Sequence, residues 1–185
     1  HCDPPLTEAE VLVLTRKFHN RNPPSLIDKL HLTDKGNAMR LEKAYGNDLK
    51  YCNHMKRWFI YDGHKWLEDE TDKIKSYAMK VGDIIESEGD RYKEESSYDQ
   101  EVYENYIRWA RNSENVSRIN AMIDLAGVFL SSKIEDYDQN NWLFNVKNGT
   151  IDLNIENNPD GKWKIKEHSR GDMITKISNV IYDPN

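Results

Sequence analysis

The stretch Arg57-Trp58-Phe59-Ile60-Tyr61-Asp62-Gly63-His64-Lys65-Trp66-Leu67 constrains the fold more than any other part of the chain. Two runs rich in aromatics flank Asp62-Gly63, the dipeptide that best supplies the positive φ angles of a type I′ turn. The spacing predicts a β-hairpin over about 57–67. Period-two alternation puts Trp58 and Ile60 on one face and Phe59 and Tyr61 on the other, so at least one pair is expected to be core. Leu49-Lys50-Tyr51-Cys52, just before it, marks where the period changes from helical.

Helical spacing dominates before and after this hairpin. Thr7 with Glu10 forms a capping box ahead of Val11, Leu12, Leu14 and Phe18, which predicts a helix over 7–19. Asn22-Pro23-Pro24 breaks it, and Ser25 starts a short helical turn through Leu30. Thr33 or Asp34 can cap a helix carrying Ala38, Leu41 and Tyr45, with Gly46 expected as its left-handed terminator. The stripe Ile74, Tyr77, Ala78, Val81, Ile84 and Ile85 predicts a helix from about 70 to 88, ended by Gly89-Asp90. Residues 90–96 are charged and aperiodic, which predicts a solvated loop. Ser97, with Gln100 three residues later, is expected to open a helix bearing Val102, Tyr103, Tyr106, Ile107 and Trp109, and another runs from about Asn115 through Phe129. Strand alternation returns over 142–146, 150–153 and 163–167, around turns at Lys147-Asn148-Gly149 and 157–161. The expected class is α+β and mainly helical, a small helix bundle with β-hairpins around 57–67 and 142–168.

A length of 185 residues suits one domain, or one domain with an appended segment. The chain is 31% charged, yet 10% of it is aromatic, with five Trp and ten Tyr, enough to build a core. Cys2 and Cys52 lack metal-ligand spacing, which points to a reducing compartment and excludes a disulfide framework. The sequence shows neither an apolar run near the length of a membrane span nor a secretory leader, so no membrane partner is expected. A net charge of -6 restricts any nucleic-acid role to a regional patch.

The sequence contains no GxxxxGKS/T, GxGxxG, HExxH or GxSxG. Residues 136–147 begin like a calcium loop, but Asn141 stands where Gly is needed and Lys147 where the bidentate Glu is needed. His1, His19, His31, His54, His64 and His168 fall in separate segments with no i, i+4 pair, and read as scattered packing or surface residues. No catalytic, cofactor-binding or metal-ligating residue is therefore assigned. Basic residues do cluster. Lys50, Lys56, Arg57 and Lys65 surround the aromatic hairpin, while Arg108, Arg111 and Arg118 follow one another across two helices. Cations beside exposed aromatics can hold phosphates and stack bases, which makes these seven the candidate nucleic-acid contacts. The competing reading assigns the hairpin aromatics to the core.

Three ordered stretches carry a family resemblance: Leu32-Thr33-Asp34-Lys35-Gly36-Asn37-Ala38 with Arg40-Leu41; Tyr45-Gly46-Asn47-Asp48-Leu49-Lys50-Tyr51 with the hairpin through Trp66; and Trp142-Leu143-Phe144-Asn145-Val146-Lys147-Asn148-Gly149-Thr150-Ile151-Asp152-Leu153. With Asp172-Met173-Ile174-Thr175-Lys176 and Tyr182-Asp183-Pro184, they resemble the domain preceding the ATPase in phage and plasmid primase-helicases and the corresponding region of poxvirus primase-helicases. The resemblance covers about residues 30–185 and implies an accessory domain over 31–185. Residues 1–30 are a helical lead-in or the end of an upstream domain. It further implies a superfamily 3 helicase, an AAA+ ring around DNA, following Asn185, with the missing P-loop explained by truncation. ATP and Mg would serve that motor, and no cofactor is expected in this fragment.

The implied partners are single-stranded or forked DNA, the chain's own helicase and primase domains, and further copies in a homo-oligomer. The implied location is the cytoplasm of a bacterial host or infected cell. The alternative, favoured by the acidic balance, is an oligomerisation or protein-binding module without DNA contact; a freestanding hydrolase has no supporting motif. The motif positions Asn37, Trp58, Asp62, Gly63, Trp66, Asn145, Asn148, Gly149 and Asp152 read as architecture: tight turns, core area and side-chain bonds to backbone.

Overall fold

Thr33 opens the first helix, α1 (Asp34–Tyr45), its hydroxyl accepting from the Gly36 amide at 3.1 Å. The computed structural model describes residues 30–94, 98–157 and 163–183. The helix expected over 7–19, and all but Leu30 of the turn expected over 25–30, lie outside the described residues. Residues 32–185 form one compact unit. The end of α1 departs from expectation: Gly46 is right-handed, at φ -62 and ψ -20, and leads into a 3₁₀ turn, Gly46–Asp48. Gly46 is small because a Cβ there would lie 3.0 Å from Leu130 Cδ2.

Strands β1 (Leu49–Cys52), β2 (Arg57–Tyr61) and β3 (Trp66–Glu68) form an antiparallel meander. A short strand β4 (Ser131–Ser132) pairs parallel to β1 and completes the order β3-β2-β1-β4. The β2–β3 hairpin exists, with Tyr61 opposite Trp66, but its loop is not a type I′ turn. Gly63 has a positive φ of 101° and Asp62 does not. Instead the Asp62 carboxylate accepts from the amides of His64 and Lys65, each at 2.8 Å, and so closes a longer loop.

Two helices, α2 (Lys73–Met79) and α3 (Val81–Lys93), replace the single one expected over 70–88. Their start is set by Asp69, whose carboxylate accepts from the Lys73 amide at 2.9 Å and the Ile74 amide at 2.8 Å. Gly89-Asp90 does not end the helix, and residues 90–93, expected as loop, form its last turn. A Cβ on Gly89 would sit 2.9 Å from Tyr106 Cβ, so this glycine permits the close approach of α4 (Gln100–Ser113). Asp99 caps α4 by accepting from the Glu101 and Val102 amides, whereas the expected cap, Ser97, lies outside the described residues. Helix α5 (Val116–Phe129) follows. Strands β5 (Leu143–Val146), β6 (Gly149–Asp152) and β7 (Lys164–Lys166) form a second antiparallel sheet in the order β5-β6-β7. The fold is α+β and mainly helical, as expected.

Both faces of the first sheet are committed. Leu49 and Ile60 pack with Ala38, Leu41, Val81, Ile85 and Met122 of the helices, and Trp58 lies against this cluster. Cys52, Phe59, Tyr61, Trp66 and Tyr137 form a separate cluster on the opposite side. Both alternating pairs of β2 are therefore used, not one.

After a 3₁₀ turn at Arg170–Asp172 the chain is fastened at alternate residues. The Ile174 carbonyl accepts from the Trp66 amide at 2.8 Å, and the Ser178 amide donates to the Asn145 carbonyl at 2.8 Å. The Lys176 carbonyl accepts from Asn145 Nδ2 at 3.1 Å, and the Val180 carbonyl from the Lys147 amide at 2.9 Å. Tyr182 exchanges two bonds of 3.0 Å with the Asn148 side chain. Among the described residues no helix is long and apolar enough to cross a membrane.

Candidate nucleic-acid interface

The structure does not gather the hairpin cations into one patch. Lys56 and Arg57 sit at one end of β2, whereas Lys65 lies in the loop at its other end, about 13 Å away by strand rise. Lys50 is half-buried in β1 opposite Phe59, and Arg57 Nε lies 3.2 Å from Glu68 Oε1. Lys56 is exposed and holds a left-handed φ of 53°.

The helical arginines divide differently. Arg108 and Arg111, three residues apart on α4, are exposed and border one shallow groove with Tyr103, Glu104, Ile107 and Asn112. Arg108 Nη1 donates to Asn105 Oδ1 at 3.0 Å, and Arg111 makes no ion pair among the described residues. Arg118 is occupied: its Nη1 lies 2.9 Å from Asp34 Oδ1, and its guanidinium stacks 4.2 Å from the Trp109 ring centroid. That arrangement ties α5 to α1 and α4.

Asn145 is the hub of the motif positions and is only 4% exposed. Its Nδ2 donates to the His64 carbonyl at 3.0 Å and the Lys176 carbonyl at 3.1 Å. With both donor hydrogens used, Oδ1 accepts from Thr150 Oγ1 at 3.1 Å and from His168 Nδ1 at 2.8 Å, which places the His168 proton on Nδ1. The Asn145 side chain thus joins the hairpin loop, the second sheet and the C-terminal segment. Asn37 does the same among helices, donating to Ser113 Oγ at 2.8 Å and accepting from Trp109 Nε1 at 3.0 Å. Trp66 Nε1 donates to the Arg170 carbonyl at 3.0 Å. Gly149, at φ 153°, lets β6 and β7 meet, because a Cβ there would lie 2.5 Å from the Lys166 carbonyl oxygen.

Several carboxylates and phenols have shifted affinities for protons. Burial pushes the Asp62 carboxyl up, but the amides of Lys65 and His64 outweigh it and hold the group below its ordinary value. The Asn154 amide and then the Asn157 side chain lower Asp152. Burial raises the Tyr61 phenol against the pull of Arg170, whose guanidinium lies 5.3 Å from that ring and also bonds Asp48. These groups hold loops together; among the described residues no cluster of three or more His, Cys, Asp or Glu side chains could hold a metal ion. Asp136 and Asp138 of the calcium-like run already accept from the Lys133 amide and from Thr175.

Three arrangements escaped sequence reasoning. His64 and His168 stack edge to face at 4.6 Å, although 104 residues separate them. Arg40 is 1% exposed and pairs with Glu88, Nε lying 2.9 and 3.0 Å from the two carboxylate oxygens. A lone charged residue at a helix position facing apolar neighbours was the available signal for that pair. The third is a set of exposed apolar side chains in and beside the outer strands of the second sheet, Trp142, Phe144, Trp163 and Ile165, which flank the buried Ile151 of β6.

The family described as "D5 N terminal like" matches residues 38–185, four-fifths of the chain, from the second turn of α1 onward. No curated protein matches the chain closely enough to count as a relative. The order of α1, the Asp62-Gly63 hairpin and the Asn145 strand pair falls within the matched segment, and the chain belongs to the D5 N-terminal-like family, the domain that precedes the superfamily 3 helicase in primase-helicases.

Proposed function

We propose that this domain is an accessory module of a mobile-element primase-helicase, positioning DNA and neighbouring subunits for an AAA+ motor outside this chain. ATP and Mg belong to that motor on this reading, and the work is cytoplasmic. The observation that carries it is the pair Arg108 and Arg111. Both are exposed on one face of α4, and the groove they border offers Tyr103 and Ile107 beside the two cations. Arg118, held by Asp34 and Trp109, serves the bundle instead.

The test is a fluorescence-anisotropy titration of the chain with single-stranded, duplex and forked DNA at low and moderate salt, with sedimentation on the same samples. Phosphate contacts predict binding that weakens steeply with salt through counterion release. The pair Arg108→Glu and Arg111→Glu should abolish most of it, while the sedimentation pattern stays unchanged. No binding to any of the three DNAs at low salt overturns the DNA role.

A second reading, a module that binds only protein, is favoured by one observation. Helix α5 leaves Leu125, Val128 and Phe129 exposed on one face, with Val128 at 70%. A defined oligomer without DNA binding would support that reading.

A further inference from the structure

The chain from Ile174 to Tyr182 covers an open edge of each sheet. The first sheet ends at β3, where the Trp66 amide donates to the Ile174 carbonyl. The second begins at β5, where the Asn145 carbonyl and the Lys147 amide meet Ser178 and Val180. Uncovered, both edges would present unpaired amides and carbonyls to any passing strand. This C-terminal arm is held chiefly by polar bonds, among them those from the Thr175 amide and hydroxyl to the Asp138 carboxylate at 2.8 and 2.5 Å. Ile174 and Ile177 are half-buried, Val180 and Ile181 are 51% and 70% exposed, and among the described residues neither apolar cluster draws a side chain from beyond Met173. A segment with so little buried apolar area belongs to the weakly held part of a fold.

The joint at its root is strained. Met173 follows the 3₁₀ turn Arg170–Asp172 with φ 51° and ψ 32°, a left-handed conformation that costs any residue but glycine. Bent in this way, the chain brings two carbonyls to Trp66: that of Arg170 to Nε1 and that of Ile174 to the amide. An extended Met173 sheds the strain and carries the arm away from Trp66.

We propose that the arm is exchanged between copies of this chain, residues 174–182 of one occupying the β3 and β5 edges of another. The proposal rests on the positioning of neighbouring subunits proposed above and supplies a means for it. The edges themselves select the occupant. Their amides and carbonyls, with the side chains of Asn145 and Asn148, already match this segment residue by residue, so a second copy's arm forms the same bonds. Exchange of an identical element costs few contacts, and the closed and exchanged forms differ in the hinge and in the entropy of association. At the hinge, strain is opposed by the 3.0 Å bond from the Asp138 amide to the Met173 carbonyl and by the packing of Met173 on the second cluster. Short hinges under strain favour exchange.

The experiment mixes two forms of the chain, both carrying Cys2→Ser, one with Asn148→Cys and the other with Tyr182→Cys. A short bis-maleimide is added at rising protein concentration, with sedimentation on the same samples. Cys52 is buried and stays protected. Neither form can join positions 148 and 182 within one chain, so a 148–182 bridge found by peptide mass spectrometry reports exchange. That bridge is expected, together with an oligomer. Met173→Gly, which takes the left-handed angle without strain, should weaken association about tenfold for each hinge it relaxes. Met173→Pro, whose φ is fixed at about -65°, cannot take that angle and should strengthen association. If the proline variant fails to fold, the glycine variant carries the test alone. An oligomer that lacks the 148–182 bridge, or that Met173→Gly leaves unchanged, overturns the exchange and leaves subunit positioning in place. A chain that stays monomeric at every concentration overturns both.

Discussion

Replacing Asn145 by alanine tests whether a single buried amide holds three parts of the domain together. Four hydrogen bonds disappear at once, those to the His64 and Lys176 carbonyls and those from Thr150 and His168. Thr150 is 1% exposed, so its hydroxyl is left without water. The other three partners belong to exposed or half-buried residues and can be rehydrated. Taking about 1–3 kcal/mol for the orphaned hydroxyl and about 0.5–1 kcal/mol for each rehydrated partner, the loss is about 2.5–6 kcal/mol. Urea unfolding, followed by tryptophan fluorescence and far-ultraviolet circular dichroism, measures it as a lower midpoint at unchanged slope. Asn145→Asp separates bonding from shape, since it keeps the volume but points an oxygen at two carbonyls, and it should be at least as destabilised. A loss below about 1 kcal/mol in the alanine variant, or an aspartate variant of native stability, would refute the hub.

Four further outcomes follow from other features. Arg40→Ala should cost about 3–5 kcal/mol by leaving Glu88 buried without its cation, and the double change Arg40→Met with Glu88→Met should recover much of it, both read by thermal melts. Gly89→Ala, which would stabilise an exposed helix, should instead destabilise by about 1–3 kcal/mol, because the new methyl meets Tyr106 Cβ at 2.9 Å; an unchanged or raised Tm contradicts the close packing of α3 and α4. The depressed Asp62 carboxyl contributes stability that is present above the ordinary carboxylate value of 3.8 and lost as pH falls through the lower folded value. Asp62→Asn should flatten that acid limb in urea titrations run at several pH values. Finally, if Arg108 and Arg111 each contact a phosphate, charge reversal of both should reduce the salt slope of single-strand binding by about 1.4, and an unchanged slope removes them from the interface.

Local signals read well where the chemistry stays local. The Thr33 cap, the Asp62-Gly63 hairpin and the strand alternation after residue 140 each appear where residue types alone place them. Glycine was the ambiguous symbol. Gly46 and Gly89 have the composition of helix terminators, yet each is small to admit a side chain distant in sequence, Leu130 or Tyr106. Nothing within a few residues distinguishes those causes. Asp62 was assigned a backbone role in its turn, but its carboxylate closes the loop through two amides. Cation clusters were legible only as neighbours in sequence: β2 separates Lys56 from Lys65, and Arg118 is taken by Asp34, 84 residues away. The same limit hid the pairing of His64 with His168 and of Arg40 with Glu88.

The segment from Ile174 to Tyr182 is closed by buttons and not by a zipper. A strand in a sheet shares neighbouring bonds, so it resists until the whole ladder yields. Here the anchors differ in kind: the Trp66 amide at Ile174, the Asp138 carboxylate at Thr175, the Asn145 side chain at Lys176, one parallel bridge to Val146 made by the Ser178 and Val180 bonds, and the Asn148 side chain at Tyr182. Tension applied at Tyr182 meets the Asn148 clasp first, and releasing it leaves the next anchor, at Val180, intact. The Asn148 clasp at Tyr182 can therefore open by itself, while the bridge to Val146 and both apolar clusters stay closed.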